Sequence, residues 1–316
     1  MLPRAFKQVD VFTDQRYFGN PLAVVLSASG LDDTAMQRFA QWTNLSETTF
    51  LLPPTDASAD YRVRIFTPGG ELPFAGHPTL GSCHSWLQAG GQPRNAGFVV
   101  QECKQGLINI RRTAAPGGTQ RLAFAAPPFK RSSPSPASLA QVAAALGLKA
   151  RQIQAAQQLD NGPVWLGLLL DNAETVLQLR PDYRTLDELR VNVGVAGFYG
   201  EAESSQLIAR ANREARAFST QEQLQAPSAS TAAPAPDIEV RVFVPTMGIN
   251  EDPVTGSFNA ALAQWLIADG LAPDRYLASQ GICLGRAGQV HIERDGNGQV
   301  WVGGETVTCI DGSVTL

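Results

Sequence analysis

The chain has 316 residues, which at about 150 residues per domain corresponds to two domains or one large one and excludes a single small module. Apolar residues make up 44% and charged residues only 17% of the chain, so it can form substantial cores, and disorder throughout is excluded. The 25 basic and 29 acidic residues give a formal net charge of −4, which offers no cationic field for nucleic acid and favours a small partner.

No segment of the sequence indicates secretion or a membrane span. The first seven residues lack the apolar core of a signal peptide, and the longest aliphatic stretch, residues 164–170, is far too short to cross a bilayer. The four cysteines lie far apart in the sequence, at Cys83, Cys103, Cys283 and Cys309. We therefore expect a cytoplasmic protein whose cysteines are reduced and buried.

The first third of the chain reads as strands with one early helix. Alternating polar and apolar residues predict strands over residues 7–12, 22–26, 47–52 and 61–66, and a hairpin of 98–103 with 107–112. Asp32 or Asp33 can cap a helix. This helix would carry four apolar residues on one face, Met36, Phe39, Ala40 and Trp42.

The rest of the chain mixes helices and strands. A Pro- and Ser-rich stretch, residues 125–136, predicts a domain boundary. Beyond it we expect helices over 137–146 and 181–190, the latter starting with Pro181, and strands over 163–170, 207–211 and 238–244. Residues 226–236 consist mainly of Ala, Pro, Ser and Thr and read as a mobile insertion. The mixture indicates a two-layered α+β fold.

A short internal repeat suggests a duplication. Residues 64–68 read Arg-Ile-Phe-Thr-Pro and residues 241–245 read Arg-Val-Phe-Val-Pro. Each is followed by a Gly-containing loop that reaches a Gly-Ser pair, at 81–82 or 256–257, and then a helix-like segment. The order predicts two similar halves that face each other.

The two loops, residues 76–82 and 251–257, are candidates for chemistry. Glycines allow a ligand to approach the backbone, and the helix that follows leaves amide groups unpaired, which attracts a carboxylate or phosphate. One loop carries His77 and the other Asp252, both able to exchange protons. Ordinary turns and helix caps would produce the same pattern, so the residues alone leave both readings open.

Glu47 is a third candidate, because it begins a strand in largely uncharged surroundings, where its pKa would rise toward neutrality. The alternative is a solvated glutamate at a strand start. His84 and His291 read as structural, and three scattered histidines do not form a metal site. The sequence contains no phosphate-binding loop and no dinucleotide fingerprint, so we expect neither metal nor cofactor.

At these residues the sequence resembles the PhzF-type phenazine-biosynthesis isomerase family, which shares its duplicated fold with diaminopimelate epimerase. The resemblance spans nearly the whole chain. It rests on residues 9–12, 19–25, 46–50, 66–68, 76–82 and 251–257, and on Gln280-Gly281 followed by Gly285-Arg286.

The resemblance implies an α+β fold with two pseudosymmetric halves, each a curved, mostly antiparallel sheet wrapped around a central helix. We expect the halves to comprise residues 1–127 plus 306–316, and residues 128–305. The resemblance further implies cofactor-independent proton transfer on a small carboxylated substrate in the cleft, and a homodimer.

The resemblance also implies roles for particular residues. Glu47 matches the principal acid and base of the family, and His77 and Asp252 match residues that assist the proton transfer. Six residues would help to hold the substrate: Asn20, Ser46, Gly76, Thr255, Gly256 and Ser257. Related epimerases use one cysteine in each loop; neither loop here contains cysteine, which disfavours two-cysteine racemisation.

Two departures from the family pattern leave the substrate open. The insertion at 226–236 precedes the second loop, and Ala287-Gly288 stands where the family usually has Pro-Ser. Two other functions are therefore kept: an epimerase or racemase of an amino-acid-like carboxylate with Glu47 and Asp252 as opposed bases, and a non-catalytic protein that binds small carboxylates.

Overall fold

The computed structural model describes residues 2–114, 120–200 and 234–316. The strands up to residue 125 are β1 Pro3–Val11, β2 Asn20–Val25, β3 Thr48–Leu52, β4 Tyr61–Thr67, β5 Gly70–Leu72, β6 Phe98–Cys103, β7 Gly106–Ala114 and β8 Gln120–Ala125. The later strands are β9 Lys130–Ser132, β10 Ile153–Asp160, β11 Val164–Leu170, β12 Val193–Phe198, β13 Ile238–Val244, β14 Ile249–Asp252, β15 Arg275–Gln280, β16 Gly288–Arg294, β17 Val300–Gly304 and β18 Thr306–Thr315.

The helices are fewer than the strands. They are α1 Asp33–Thr43, α2 Gly76–Gln88, α3 Pro136–Ala145, α4 Ala173–Gln178, α5 Tyr183–Leu189 and α6 Gly256–Ala268, with single 3₁₀ turns at Ala150–Gln152, Pro245–Met247 and Ile282–Leu284. Among the described residues, no helix combines the length and the apolar character that a membrane span requires.

The strand pairings repeat once along the chain, which confirms the predicted duplication. In the first half β1–β2, β3–β4, β4–β5, β6–β7 and β7–β8 pair antiparallel, whereas β2–β3 and β4–β6 pair parallel. The second half shows the same order: β10–β11, β12–β13, β13–β14, β15–β16 and β16–β17 are antiparallel, and β11–β12 and β13–β15 are parallel. The predicted α+β fold of two pseudosymmetric halves is therefore confirmed.

The repeated Arg-x-Phe-x-Pro segments occupy equivalent places and make equivalent contacts. Arg64 forms two hydrogen bonds with Glu71, of 2.7 and 2.9 Å, and Arg241 forms two with Glu251, both of 2.8 Å. Each guanidinium also lies over the phenylalanine two residues further on, 5.0 and 5.2 Å from the ring centroid. The duplication thus preserves a bidentate ion pair as well as a topology.

Strand pairing joins the two halves. β8 of the first half pairs with β17 of the second half. The next strand in the chain, β9, pairs with β10, and the last strand, β18, pairs with β1. The pairing of β18 supports the assignment of residues 306–316 to the first half; the boundaries at 127/128 and 305/306 remain our proposal.

A largely buried helix begins at the inner end of each half. α2 packs on β1, β2 and β8, and α6 packs on β10, β16 and β17. Buried residues occur around the circumference of both helices, as expected for helices enclosed by sheet. Residues 76–82, predicted as a loop, are instead the first two turns of α2. Pro78 is tolerated there because a first-turn residue needs no amide hydrogen.

Several other predictions need correction. Trp42 is 79% exposed and does not share the buried face of α1, although its ring stacks on Phe39. Pro181 precedes the helix cap Asp182 and does not begin the helix. Cys283 is exposed, whereas Cys83 and Cys103 are buried, and all four cysteines are free.

The sequence patterns predicted no strand at β5, β8, β9, β10, β12 or β14 and no helix at α4. The predicted strand at 207–211 and most of the predicted insertion, residues 226–233, lie outside the described residues.

Candidate active site

A cavity of about 270 Å³ lies where the two central helices begin. Its wall includes eight of the nine predicted site residues, Ser46, Glu47, Gly76, His77, Asp252, Thr255, Gly256 and Ser257. The fold thus brings together side chains that are up to about two hundred positions apart in the sequence. The ninth, Asn20, is fully buried behind the wall.

The N-termini of α2 and α6 meet at two glycines. A Cβ atom built on Gly76 would lie 3.0 Å from the Cα of Gly256, and one built on Gly256 would lie 3.1 Å from the Cα of Gly76. The caps Ala75 and Thr255 make no side-chain hydrogen bond to their helices. First-turn amides of two helices therefore face the cavity without a side-chain cap, an arrangement suited to an anion.

Because the glycines meet so closely, Gly76→Ala is expected to destabilise the fold. The added methyl would also lie 2.9 Å from the ring of Phe124, and overpacking of this kind costs about 1–3 kcal/mol. In urea unfolding, the midpoint of Gly76→Ala should lie below that of the wild type, whereas the midpoint of Gly312→Ala should not, because a Cβ at Gly312 meets no atom within 4 Å. Equal midpoints for Gly76→Ala and the wild type would contradict the close approach.

Glu47, the residue before β3, faces His77 of α2. Glu47 is 9% and His77 4% exposed, and Oε2 of Glu47 lies 3.3 Å from Nε2 of His77. Neither atom has a hydrogen-bond partner among the described residues, because the pair is close but poorly aligned. Burial, with Asp252 nearby, raises the pKa of Glu47 to about 8, and burial lowers the pKa of His77 to about 3. At neutral pH both groups are thus mainly uncharged.

Asn20 connects the two halves behind the cavity. Its Nδ2 donates to Oδ1 of Asp252 at 3.1 Å and to the carbonyl of Val254 at 2.9 Å, and lies 3.4 Å from Nδ1 of His77. The two hydrogens of this amide nitrogen are accepted by Asp252 and Val254, so Nδ1 of His77 can share one of them only in the tautomer that carries the ring hydrogen on Nε2.

Asp252 ends β14 on the opposite side of the cavity. It is 9% exposed, and its Oδ2 accepts a hydrogen bond of 2.6 Å from the Thr255 hydroxyl. Burial raises the pKa of Asp252 to about 6, although the bonds from Thr255 and Asn20 act in the other direction. Asp252 therefore ionises more readily than Glu47, and the two carboxyls differ in charge at neutral pH.

The acidic groups break the symmetry of the duplicated fold. Phe66 and Phe243 are equivalent residues of the repeat. Glu47 stands one residue before the strand partner of Phe66, and Asn192 stands one residue before the strand partner of Phe243. Asn192 is therefore the structural counterpart of Glu47. By the same register Leu72 is the counterpart of Asp252. Each half contributes one carboxyl, but from positions that are not equivalent.

Sequence reasoning missed part of the wall. Asn161 lies in the β10–β11 turn, where its Nδ2 donates to the carbonyl of Ser257 at 2.8 Å and its Oδ1 accepts from Trp165 at 3.3 Å. Asn192 and several apolar residues also line the cavity, among them Leu72, Phe74, Pro163, Trp165, Val244 and Ile249. No motif marks these residues, whereas the Gln280-Gly281 pair, which lies beneath the site, was visible as a motif.

Comparisons with known proteins agree with this geometry. Residues 9–312 match the PhzC-PhzF family, described as phenazine biosynthesis-like protein. A Schizosaccharomyces pombe protein named antisense-enhancing sequence 1 is 34% identical over 99% of both chains. The trans-2,3-dihydro-3-hydroxyanthranilate isomerase of Pseudomonas aeruginosa is 30% identical over 92% of this chain and 90% of its own. A Bacillus anthracis PhzF-family crystal structure superposes with a TM-score of 0.78 over all of both chains, at 19% identity.

Proposed function

The chain belongs to the phenazine biosynthesis-like PhzC-PhzF family of isomerases, and on this premise we propose that it moves a proton within a small carboxylated metabolite, with Glu47 as general base and acid. The observation that carries the proposal is the buried Glu47 carboxyl, whose Oε2 has no hydrogen-bond partner in the described part of the chain and lies next to the cavity. A carboxyl with a pKa near 8 exists in both protonation states near neutral pH, so it can take a proton and return it.

The substrate carboxylate would bind at the N-terminus of α6. The amides of Gly256 and Ser257 begin that helix, and the Ser257 side chain lines the same cavity. A carboxylate gains there from the helix dipole and from unpaired amide hydrogens. Because Glu47 is mainly uncharged at neutral pH, it opposes the incoming anion less than an ionised carboxylate would.

The reaction we propose needs no external reagent. The Glu47 carboxylate removes a proton from a carbon next to a conjugated system, and the electron pair of the broken C–H bond shifts the double bond. The electrons displaced from the old double bond then take a proton from the Glu47 carboxyl, which exchanges its hydrogen with solvent, and form a new C–H bond at another carbon, so atoms and electrons balance without a cofactor.

His77 and Asp252 would assist Glu47 in different ways. Nε2 of His77 lies 3.3 Å from Oε2 of Glu47 and, when it carries the ring hydrogen, would stabilise the charge of the carboxylate that forms during each cycle. Asp252, from the other half, would orient the substrate by accepting a hydrogen bond from it. The apolar wall would limit the access of water to the reacting carbons.

The experiment is a metabolite screen with the purified chain in heavy water. We expect a small carboxylated compound to be retained, to gain deuterium at one carbon and to change the position of a double bond. Retention with neither deuterium uptake nor a shifted double bond would favour a non-catalytic binder and would contradict the proposed isomerase reaction.

A second candidate is an epimerase that uses Glu47 and Asp252 as opposed bases. The specific observation in its favour is that the two carboxyls line one cavity from different halves. Inversion at a stereocentre that gains deuterium, without a double-bond shift, would identify this reaction in the same screen.

A further inference from the structure

The side chain of Gln280, at the end of β15, is fully buried and uses both of its polar ends. Its Oε1 accepts from the backbone N–H of Thr255 at 3.0 Å and from Nδ2 of Asn259 at 2.9 Å. Its Nε2 donates to the carbonyl of Asp252 at 3.1 Å and to the Thr255 hydroxyl at 3.0 Å. One amide therefore holds both ends of the segment that joins β14 to α6.

The bond from Gln280 determines which way the Thr255 hydroxyl points. Since Oγ1 of Thr255 already accepts a hydrogen from Gln280, its own hydrogen is left to donate, and Oδ2 of Asp252 lies 2.6 Å away. The chain of hydrogen bonds thus runs from Gln280 through Thr255 to Asp252. A hydroxyl without this first partner could rotate away from the carboxylate.

The first half provides an internal comparison. Gln101, also fully buried, donates to the hydroxyl of Thr79 at 3.0 Å, and Thr79 donates to the carbonyl of Ala75 at 2.9 Å. This series of hydrogen bonds ends at the Ala75 carbonyl. It does not continue to a carboxylate, because Ala75 has no hydroxyl and Leu72 occupies the place of Asp252. Support of the helix start is common to both halves, whereas the extension to a carboxylate exists only in the second.

We propose that Gln280 is a positioning residue, which orients the Thr255 hydroxyl toward Asp252 and thereby keeps that carboxylate charged and correctly placed in the cavity. The catalytic meaning of this role rests on the proposed function, in which Asp252 orients the substrate. The positioning itself is a property of the free protein and can be tested without a substrate.

The other titratable groups near Asp252 form no hydrogen bond with the Gln280 side chain, which bonds to Thr255, Asn259 and Asp252. Asn20 donates to the other carboxylate oxygen, Oδ1, and Glu251 is held in its ion pair with Arg241. Glu47 lies close enough for its charge to be felt, and the neighbouring His77 is neutral. A change in the titration of Asp252 after substitution of Gln280 would therefore report the loss of the hydroxyl donor.

The test is a carboxyl-carbon NMR titration of the full chain labelled with ¹³C-aspartate, with Asp252 assigned by its loss in Asp252→Asn. Gln280→Met keeps the length of the side chain and removes both donors and the acceptor. We expect it to raise the midpoint of Asp252, near 6 in the wild type, by about one pH unit. Gln101→Met, the matched control in the other half, should leave the midpoint unchanged.

Thr255→Val separates positioning from general support of the fold. It should raise the midpoint of Asp252 by itself, and Gln280→Met added to it should cause no further rise. An unchanged midpoint in Gln280→Met, or full additivity in the double variant, would overturn the proposal. If Gln280→Met does not fold, Thr255→Val decides alone, since an unchanged midpoint there also contradicts the role. None of these outcomes depends on Glu47 or on turnover, so failure here is distinct from failure of the isomerase proposal.

Discussion

Glu47→Gln is expected to lower kcat by about a hundred- to ten-thousandfold on the metabolite that the wild-type chain isomerises, with little change in KM. Gln has nearly the shape of Glu and preserves the cavity, but it cannot take up or return a proton. The measurement is steady-state turnover of both proteins with the compound found in the screen. In the wild type, kcat/KM should rise with pH toward about 8, as the base form of Glu47 becomes populated.

Glu239→Gln is the matched control. Glu239 is also fully buried, burial raises its pKa to about 8, and its Oε2 accepts a hydrogen bond from Tyr199. It does not line the cavity. Glu239→Gln should retain turnover, and a comparable loss in both variants would show that burial of a glutamate, and not its place in the cavity, explains the effect.

The stability of the protein should depend on pH through Glu47. Folding raises the pKa of this carboxyl from about 4.5 to about 8, so ionisation of Glu47 destabilises the folded state relative to the unfolded state. The favourable contribution of the protonated form is complete below about 4.5 and is lost as the pH rises through 8. Glu47→Gln avoids this loss and should exceed the wild type in free energy of unfolding by a few kcal/mol at about pH 9.

Urea unfolding at about pH 5, 7 and 9 measures this difference. The gap between Glu47→Gln and the wild type should widen with pH, and Glu239→Gln should show the same trend because burial raises the pKa of Glu239 to about 8 as well. A gap that is independent of pH would mean that Glu47 ionises as it does in water, and the proposed proton transfer would lose its basis. Greater stability combined with lost turnover is the pattern expected of a strained functional group.

The sequence was informative where local motifs coincide with the site. Residues 64–68 and 241–245 predicted the duplication because the ion pair and the ring contact of each arginine depend on that short pattern. The glycines at 76 and 256 were interpreted as places where a ligand approaches the backbone, and in the structure they also allow α2 and α6 to meet. Glu47 was singled out by its uncharged surroundings, and the fold does bury it.

The sequence misled where tertiary packing overrides local preference. The Gly- and Pro-containing segment 76–82 reads as a loop, yet enclosure by the sheet makes it helical. Asn161 and Asn192 enter the cavity wall only because the strand register of the second half brings them there. Asn20 was expected at the substrate, but its side chain lies behind the wall and connects His77 with Asp252.

The position of deuterium in product formed in heavy water tests the role of Glu47 most directly. A single Glu47 base predicts that the wild type places deuterium at one carbon as the double bond moves, and that Glu47→Gln still retains the compound but forms neither the new C–D bond nor the shifted double bond. Deuterium uptake by Glu47→Gln at the wild-type rate, or inversion at a stereocentre with no double-bond shift, would contradict it.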